Sequence, residues 1–171
     1  RAATQVLQRV GFPDVAATLT RPDLRLYDAD LGGLWVGKAY GQGLYWRRDP
    51  IANLSHGATA RQTARFFVLL DRGQLISPTA SAAMKEMLGR PGIAHKFVKG
   101  LSSRPGATIY RKSGTWRDYH ADAALVVRPD SRYVVVGLVQ DPQGERVLQR
   151  LVVAVDDLIR VPSGARAVVA R

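Results

Sequence analysis

Cysteine is absent from this 171-residue chain, which excludes disulfides, thiolate nucleophiles and cysteine-ligated zinc. Glutamate is nearly absent: of the 14 acidic residues only Glu86 and Glu145 are glutamates. No run approaches the ~18 consecutive apolar residues of a membrane-spanning helix. The three histidines, His56, His95 and His120, have no His-x-x-x-His spacing, so no metal site and no cofactor are expected. A Gly-x-Ser-x-Gly elbow is missing, as is any recognised nucleic-acid signature, so nucleic acid is not an expected partner.

What is present is a 46% hydrophobic composition, enough for a core in a chain of one ordinary domain's length. Lys and Arg number 25 against 14 acids, giving a net charge of +11 that favours anionic partners or surfaces. Arginine supplies most of that charge and binds carboxylates or phosphates through a planar fork, although a solvated basic surface has the same composition.

A first helix is expected from residue 2 to Arg9, interrupted at Val10-Gly11-Phe12-Pro13. Residues 20 to 58 read as irregular and glycine-rich, with a short hairpin possible over 34 to 48. The cluster Trp35, Tyr40, Tyr45, Trp46, Arg47 and Arg48 mixes aromatic faces with cations, which suits either loop packing or the binding of sugars or single strands. Thr59 and Gln62 have capping-box spacing for a helix to Asp71. Gly73 can end that helix, Ser77-Pro78 can start another that Gly89 stops, and a basic connection with His95, Lys96 and Lys99 follows. From Thr108 the pattern turns to strands, with a hairpin of Ala121–Val127 and Tyr133–Val139 about the turn Arg128-Pro129-Asp130-Ser131-Arg132. Both parities of the second run are apolar, so both sheet faces are expected to be covered, one by a helix over 145 to 160. That helix places Val147, Leu148, Leu151, Val152, Val155, Leu158 and Ile159 on one stripe and Asp156 outside it. The tail from 161 to 171 is expected to be loosely held.

The segment Tyr110-Arg111-Lys112-Ser113-Gly114-Thr115-Trp116 joins a cation, a hydroxyl and a glycine at the end of a strand. It resembles the Lys-(Ser/Thr)-Gly strand of penicillin-recognising serine hydrolases, the class A β-lactamase-like family. The order of elements agrees: Ala2-Ala3 leading into an apolar run resembles the helix after that family's Ser-x-Asn triplet, and the helix pair from Thr59 resembles the pair that precedes the triad. The resemblance covers about residues 1 to 160, the later part of a family member. It implies an α+β fold, an antiparallel sheet flanked by helices beside a helical lobe.

By resemblance, Lys112 and Ser113 are the catalytic candidates, offering a cation and a hydroxyl to a substrate carboxylate. Gly114, Thr115, Trp116 and Arg117 are the substrate-binding candidates, with the Thr115 amide as half of an oxyanion hole. Arg117 and Asp118 also suit a surface pair, and Tyr119 and His120 a packed turn. No serine has Lys three residues later, and the pair Ser81 and Lys85 is spaced by four. Nor is there a Glu-x-x-Leu-Asn loop, since between 21 and 54 the only acids are Asp23, Asp28, Asp30 and Asp49. The expectation is therefore a processed or truncated chain, inactive alone, that acts on a small-molecule or peptide substrate together with its own N-terminal segment or a swapped twin. The resemblance further implies an exported or periplasmic protein. Two other readings stay open: a non-catalytic basic domain for an anionic polymer, and a β-lactam sensor.

Overall fold

Glycine at position 11 takes φ +88°, a left-handed conformation that side chains resist, and so separates two helices where the sequence suggested one. In the computed structural model, which describes residues 2–41 and 46–160, α1 is Ala2–Val10 and α2 is Phe12–Leu19, with Pro13 tolerated in the first turn. The expected tail from 161 to 171 and Tyr45 lie outside the described residues. The chain forms two compact units, one up to Leu69 and one from Leu70.

In the first unit, four two-residue strands give order to a stretch that reads as irregular. Strand β1 (Tyr27–Asp28) pairs with β2 (Gly32–Gly33), and β3 (Trp35–Val36) pairs with β4 (His56–Gly57), all antiparallel. The expected hairpin over 34 to 48 is found only in part: β3 pairs with β4 instead, and the two arms meet at the antiparallel Lys38–Trp46 bridge and through the Arg47 amide, which donates to the Gly37 carbonyl at 2.6 Å. The physical reason is the Trp35 side chain: it is buried, donates from Nε1 to the Arg47 carbonyl at 2.9 Å, and packs edge-on against Tyr27. The Lys38 ammonium and the Arg48 guanidinium both lie over the Trp46 ring, at 5.1 and 4.3 Å from its centroid; of the aromatic cluster Trp35 is packed, while Tyr40 and Trp46 are exposed. Helix α3 (Ala60–Asp71) is capped by Thr59, whose Oγ1 accepts from the Gln62 amide at 3.2 Å.

The second unit is a three-stranded antiparallel sheet, β5 (Thr108–Trp116), β6 (Tyr119–Val127) and β7 (Arg132–Gln140), in the order β5-β6-β7. Helix α4 (Pro78–Leu88) begins at Ser77, whose hydroxyl accepts from the Ala80 amide, and packs against β5. Ser81 is buried and hydrogen-bonded to Leu75, while Lys85 pairs with Asp71 at 3.2 Å, so both have structural partners. A short helix α5 (Lys96–Gly100) and the long α6 (Gly144–Arg160) cover one sheet face. Their core joins Phe97, Leu101, Ala124, Val126, Tyr133, Val135, Leu148 and Val152. Gly100 has no side chain because a Cβ there would meet Val152 Cγ1 at 2.6 Å and the Gln149 carbonyl at 2.7 Å. The other face is covered unevenly: Leu125 is buried, but at the β7 edge Leu138 is 44% exposed. Full burial of both faces of β7, expected from its two apolar parities, is therefore not found.

Candidate functional site

Cross-strand partners in an antiparallel ladder share a face, so the register decides where each polar side chain of β5 projects. Ser113 pairs with Asp122, and Arg111 with Ala124, which puts Ser113 and Arg111 on the face covered by α5 and α6. Lys112 pairs with Ala123 and takes the opposite face. Among the described residues the far side of β5 has no strand partner.

Lys112 is exposed, and its Nζ donates to the Ser113 carbonyl at 2.5 Å. Arg111, Lys112 and Ser113 border a cavity of about 240 Å³, whose other lining is the end of α4 and the connection from Arg90 to Ile93. Ser113 is half-buried, and its Oγ lies 3.2 Å from His95 Nε2. The Gly114 carbonyl and the Thr115 hydroxyl both accept from Lys96 Nζ, at 2.5 and 2.8 Å. Trp116 and Arg117 stand apart from that network. Trp116 is 62% exposed and stacked on Tyr119, with the Arg117 guanidinium over its ring. Arg117 forms the tight turn between β5 and β6 at φ +50°, a conformation costly for a residue with a side chain.

Three residues near the strand end were not identified as site residues from sequence: His95, Lys96 and Glu145. Lys96 is fully buried at φ +49° and donates a third bond to the Ala121 carbonyl at 3.1 Å. One ammonium thus holds β5 and β6 together at Gly114 and Ala121, which are register partners. Burial lowers the Lys96 pKa from its usual value, with Asp122 opposing and Arg111 adding to the drop. Asp122 is buried as well, accepting from Arg111 Nε at 2.8 Å and from the Phe97 amide at 3.0 Å, so it ties α5 to the sheet. His95 precedes α5, and its Nδ1 lies 4.0 Å from Glu145 Oε2 at the start of α6. No sequence pattern announces this gathering, because His95, Ser113 and Glu145 come from three separate elements.

Chemically the corner offers an exposed ammonium, a half-buried hydroxyl and a strand edge beside one concavity. Those groups suit a bound carboxylate or an oxygen acquiring negative charge. Among the described residues no group of three His, Asp or Glu side chains is arranged to hold a metal ion, and no helix is long and apolar enough to cross a membrane.

Comparison with known proteins gives one family model, described as the beta-lactamase enzyme family, which matches residues 2–158. Among solved structures, a structure of PBP-A is 18% identical and has a TM-score of 0.65, covering 90% of this chain and 53% of that one. A beta-lactamase from Sphaerobacter thermophilus has the same identity of 18% and TM-score of 0.65, covering 92% of this chain and 58% of its own. A variant of the last common ancestor of Gram-negative bacteria class A beta-lactamase is 16% identical with a TM-score of 0.69, again covering 92% and 58%. At these identities the likeness is one of fold, and the chain spans between 53% and 58% of the length of these three neighbours. No curated protein matches the chain.

Proposed function

Because the chain belongs to the β-lactamase enzyme family, whose model spans residues 2–158, we propose that it is the later part of a serine hydrolase acting through an acyl-enzyme. The substrate class is a β-lactam or a D-Ala-D-Ala-type amide. In such a reaction a serine oxygen adds to the amide carbonyl, the C–N bond breaks as nitrogen takes a proton, and water later releases the acid from the enzyme. The observation that carries the reading is the exposed Lys112 ammonium beside Ser113 at the rim of a cavity of about 240 Å³. In this reading Lys112 supplies positive charge to the substrate carboxylate and Ser113 donates a hydrogen bond to it. The Thr115 amide helps to stabilise the tetrahedral oxygen, and Trp116 and Arg117 border the substrate from the turn. Lys96 and Asp122 play no direct part; they hold the strand end in place.

The reading assigns the nucleophile to sequence beyond these 171 residues, since none of their serines has Lys three residues later. It also favours export, as in the family at large, and a complete cleft built with the protein's own N-terminal segment or a twin chain. The 171-residue chain incubated with benzylpenicillin is expected to keep its unmodified intact mass. A stoichiometric covalent adduct on this chain would contradict the assignment of the nucleophile.

A further inference from the structure

Ser113 carries one proton and can give it to only one acceptor at a time. That limit matters at the corner of β5, because His95 Nε2 sits 3.2 Å from the Ser113 hydroxyl on the side away from the Lys112 ammonium. Its other nitrogen, Nδ1, faces the Glu145 carboxylate at 4.0 Å, and the ring is 21% exposed. A carboxylate opposite Nδ1 favours the tautomer with hydrogen on Nδ1, which leaves Nε2 a bare acceptor. In that state Nε2 accepts a hydrogen bond from the Ser113 hydroxyl, which then turns its lone pairs toward any ligand. A protonated ring carries hydrogen on both nitrogens, so Nε2 donates to Ser113 Oγ and the serine proton is free to turn outward.

We propose that His95 is the specificity-determining residue of this wall: protonated, it makes Ser113 a donor for a carboxylate-bearing ligand, and neutral, it withdraws that donor. The inference rests on the reading of Lys112 to Thr115 as a carboxylate-binding wall. It adds what that reading lacks, a group that sets the direction of the serine hydrogen bond and couples ligand binding to uptake of one proton.

The charges around His95 come from every element packed on it. Lys96 belongs to α5, Arg111 to β5, Asp122 to β6 and Glu145 to α6. Burial first, then Arg111 and Lys96, lower the His95 pKa from the usual 6.5, while Glu145 and Asp122 oppose the drop. The free wall is therefore mostly in its neutral state near pH 7, and an arriving carboxylate adds the negative charge that draws the proton in. Linkage gives the sign: a ligand that prefers protonated His95 binds more tightly as pH falls, and its presence raises the His95 midpoint.

The test is an NMR titration over about pH 5 to 8 of a uniformly labelled polypeptide carrying these residues together with the Ser-x-x-Lys segment that completes the cleft, the serine of that segment replaced by alanine so that no acyl-enzyme forms. It is run with and without benzylpenicillin, and with its methyl ester as a ligand lacking the carboxylate. Saturation with benzylpenicillin is expected to shift the amides of Lys112 to Thr115 and to raise the His95 midpoint by about 0.5 to 1 pH unit. That rise is the linked counterpart of a three- to tenfold gain in affinity. The ester is expected to leave the midpoint where it was, as is benzylpenicillin in the Ser113→Ala chain. Glu145→Gln, a change at a half-exposed position, releases the tautomer and is expected to flatten the pH dependence. If benzylpenicillin moves the wall amides with equal affinity at both ends of the range, the His95 proposal is overturned and the wall stands. If those amides do not move at any pH, the wall reading fails and takes the proposal with it.

Discussion

Replacing Asp156 by alanine is expected to lower the stability of the unit from Leu70 onward by about 3 to 5 kcal/mol, the usual cost of removing one partner from a buried ionic network. Asp156 is 0% exposed: contrary to the expectation that it falls outside the apolar stripe, it continues the buried row Gly144, Leu148, Val152 of α6, while Val147, Leu151 and Leu158 of the expected stripe are exposed. Its two oxygens accept from the Tyr133 hydroxyl at 2.8 Å, from Arg104 at 3.0 Å and from Arg128 through Nε and Nη2, both at 3.2 Å. Alanine would leave Arg128, itself nearly buried, and a buried phenol without their acceptor, in a place where water cannot replace it. Burial pushes the Asp156 carboxyl up, but the bonds from Tyr133 and Arg104 and the Arg128 charge outweigh it and hold the pKa below the usual 3.8. A lowered carboxylate pKa contributes stability that is present above 3.8 and is lost as pH falls through the folded value. Urea unfolding of Asp156→Ala beside Asp157→Ala, a change at an exposed neighbour of the same network, separates the two cases. A loss at Asp156 no larger than at Asp157 would contradict the account.

The second large effect is at Lys96. Lys96→Met keeps the volume and the helical lead into α5 but removes an ammonium that serves three oxygens, those of Gly114, Thr115 and Ala121. Two effects oppose each other. Methionine no longer has to bury a charge, which favours the variant, yet two carbonyls and a hydroxyl at part-buried bonds lose a charged donor, a kind of hydrogen bond that contributes about 1.5 to 3 kcal/mol where water does not replace it. With three acceptors abandoned the loss prevails, and the expected net destabilisation is about 2 to 4 kcal/mol. The Gly114 and Thr115 amide resonances should move with it, because the same bonds aim the strand end. A variant as stable as the parent with both resonances unmoved would show that Lys96 holds nothing at that corner.

These two residues mark where the sequence stops being readable. Asp156 reads as a solvated position by its charge although it sits one helical turn from buried Val152, and nothing local reveals that Arg104, Arg128 and Tyr133 converge on it from other elements. Lys96 follows Pro91 and Gly92 in a stretch that reads as a basic connection, yet it is the most deeply buried cation of the described residues. By contrast the local signals held. The Thr59 and Ser77 caps, the left-handed Gly73, the hairpin of β6 and β7, and the helix after it are all set by neighbouring residues, and all are found. The family is legible in Lys112-Ser113-Gly114 and the order of elements. The partners behind that strand, His95, Lys96 and Glu145, are not, because their meeting is a product of the fold.

The central claim is that the end of β5 is the carboxylate-binding wall of an acyl-transfer cleft. It is tested most directly by the rate at which benzylpenicillin acylates a polypeptide carrying these residues together with a Ser-x-x-Lys segment, with Lys112 intact and with Lys112→Ala. Loss of a charge aimed at the substrate should slow acylation by about 100-fold or more. An unchanged acylation rate in the alanine variant would contradict the claim.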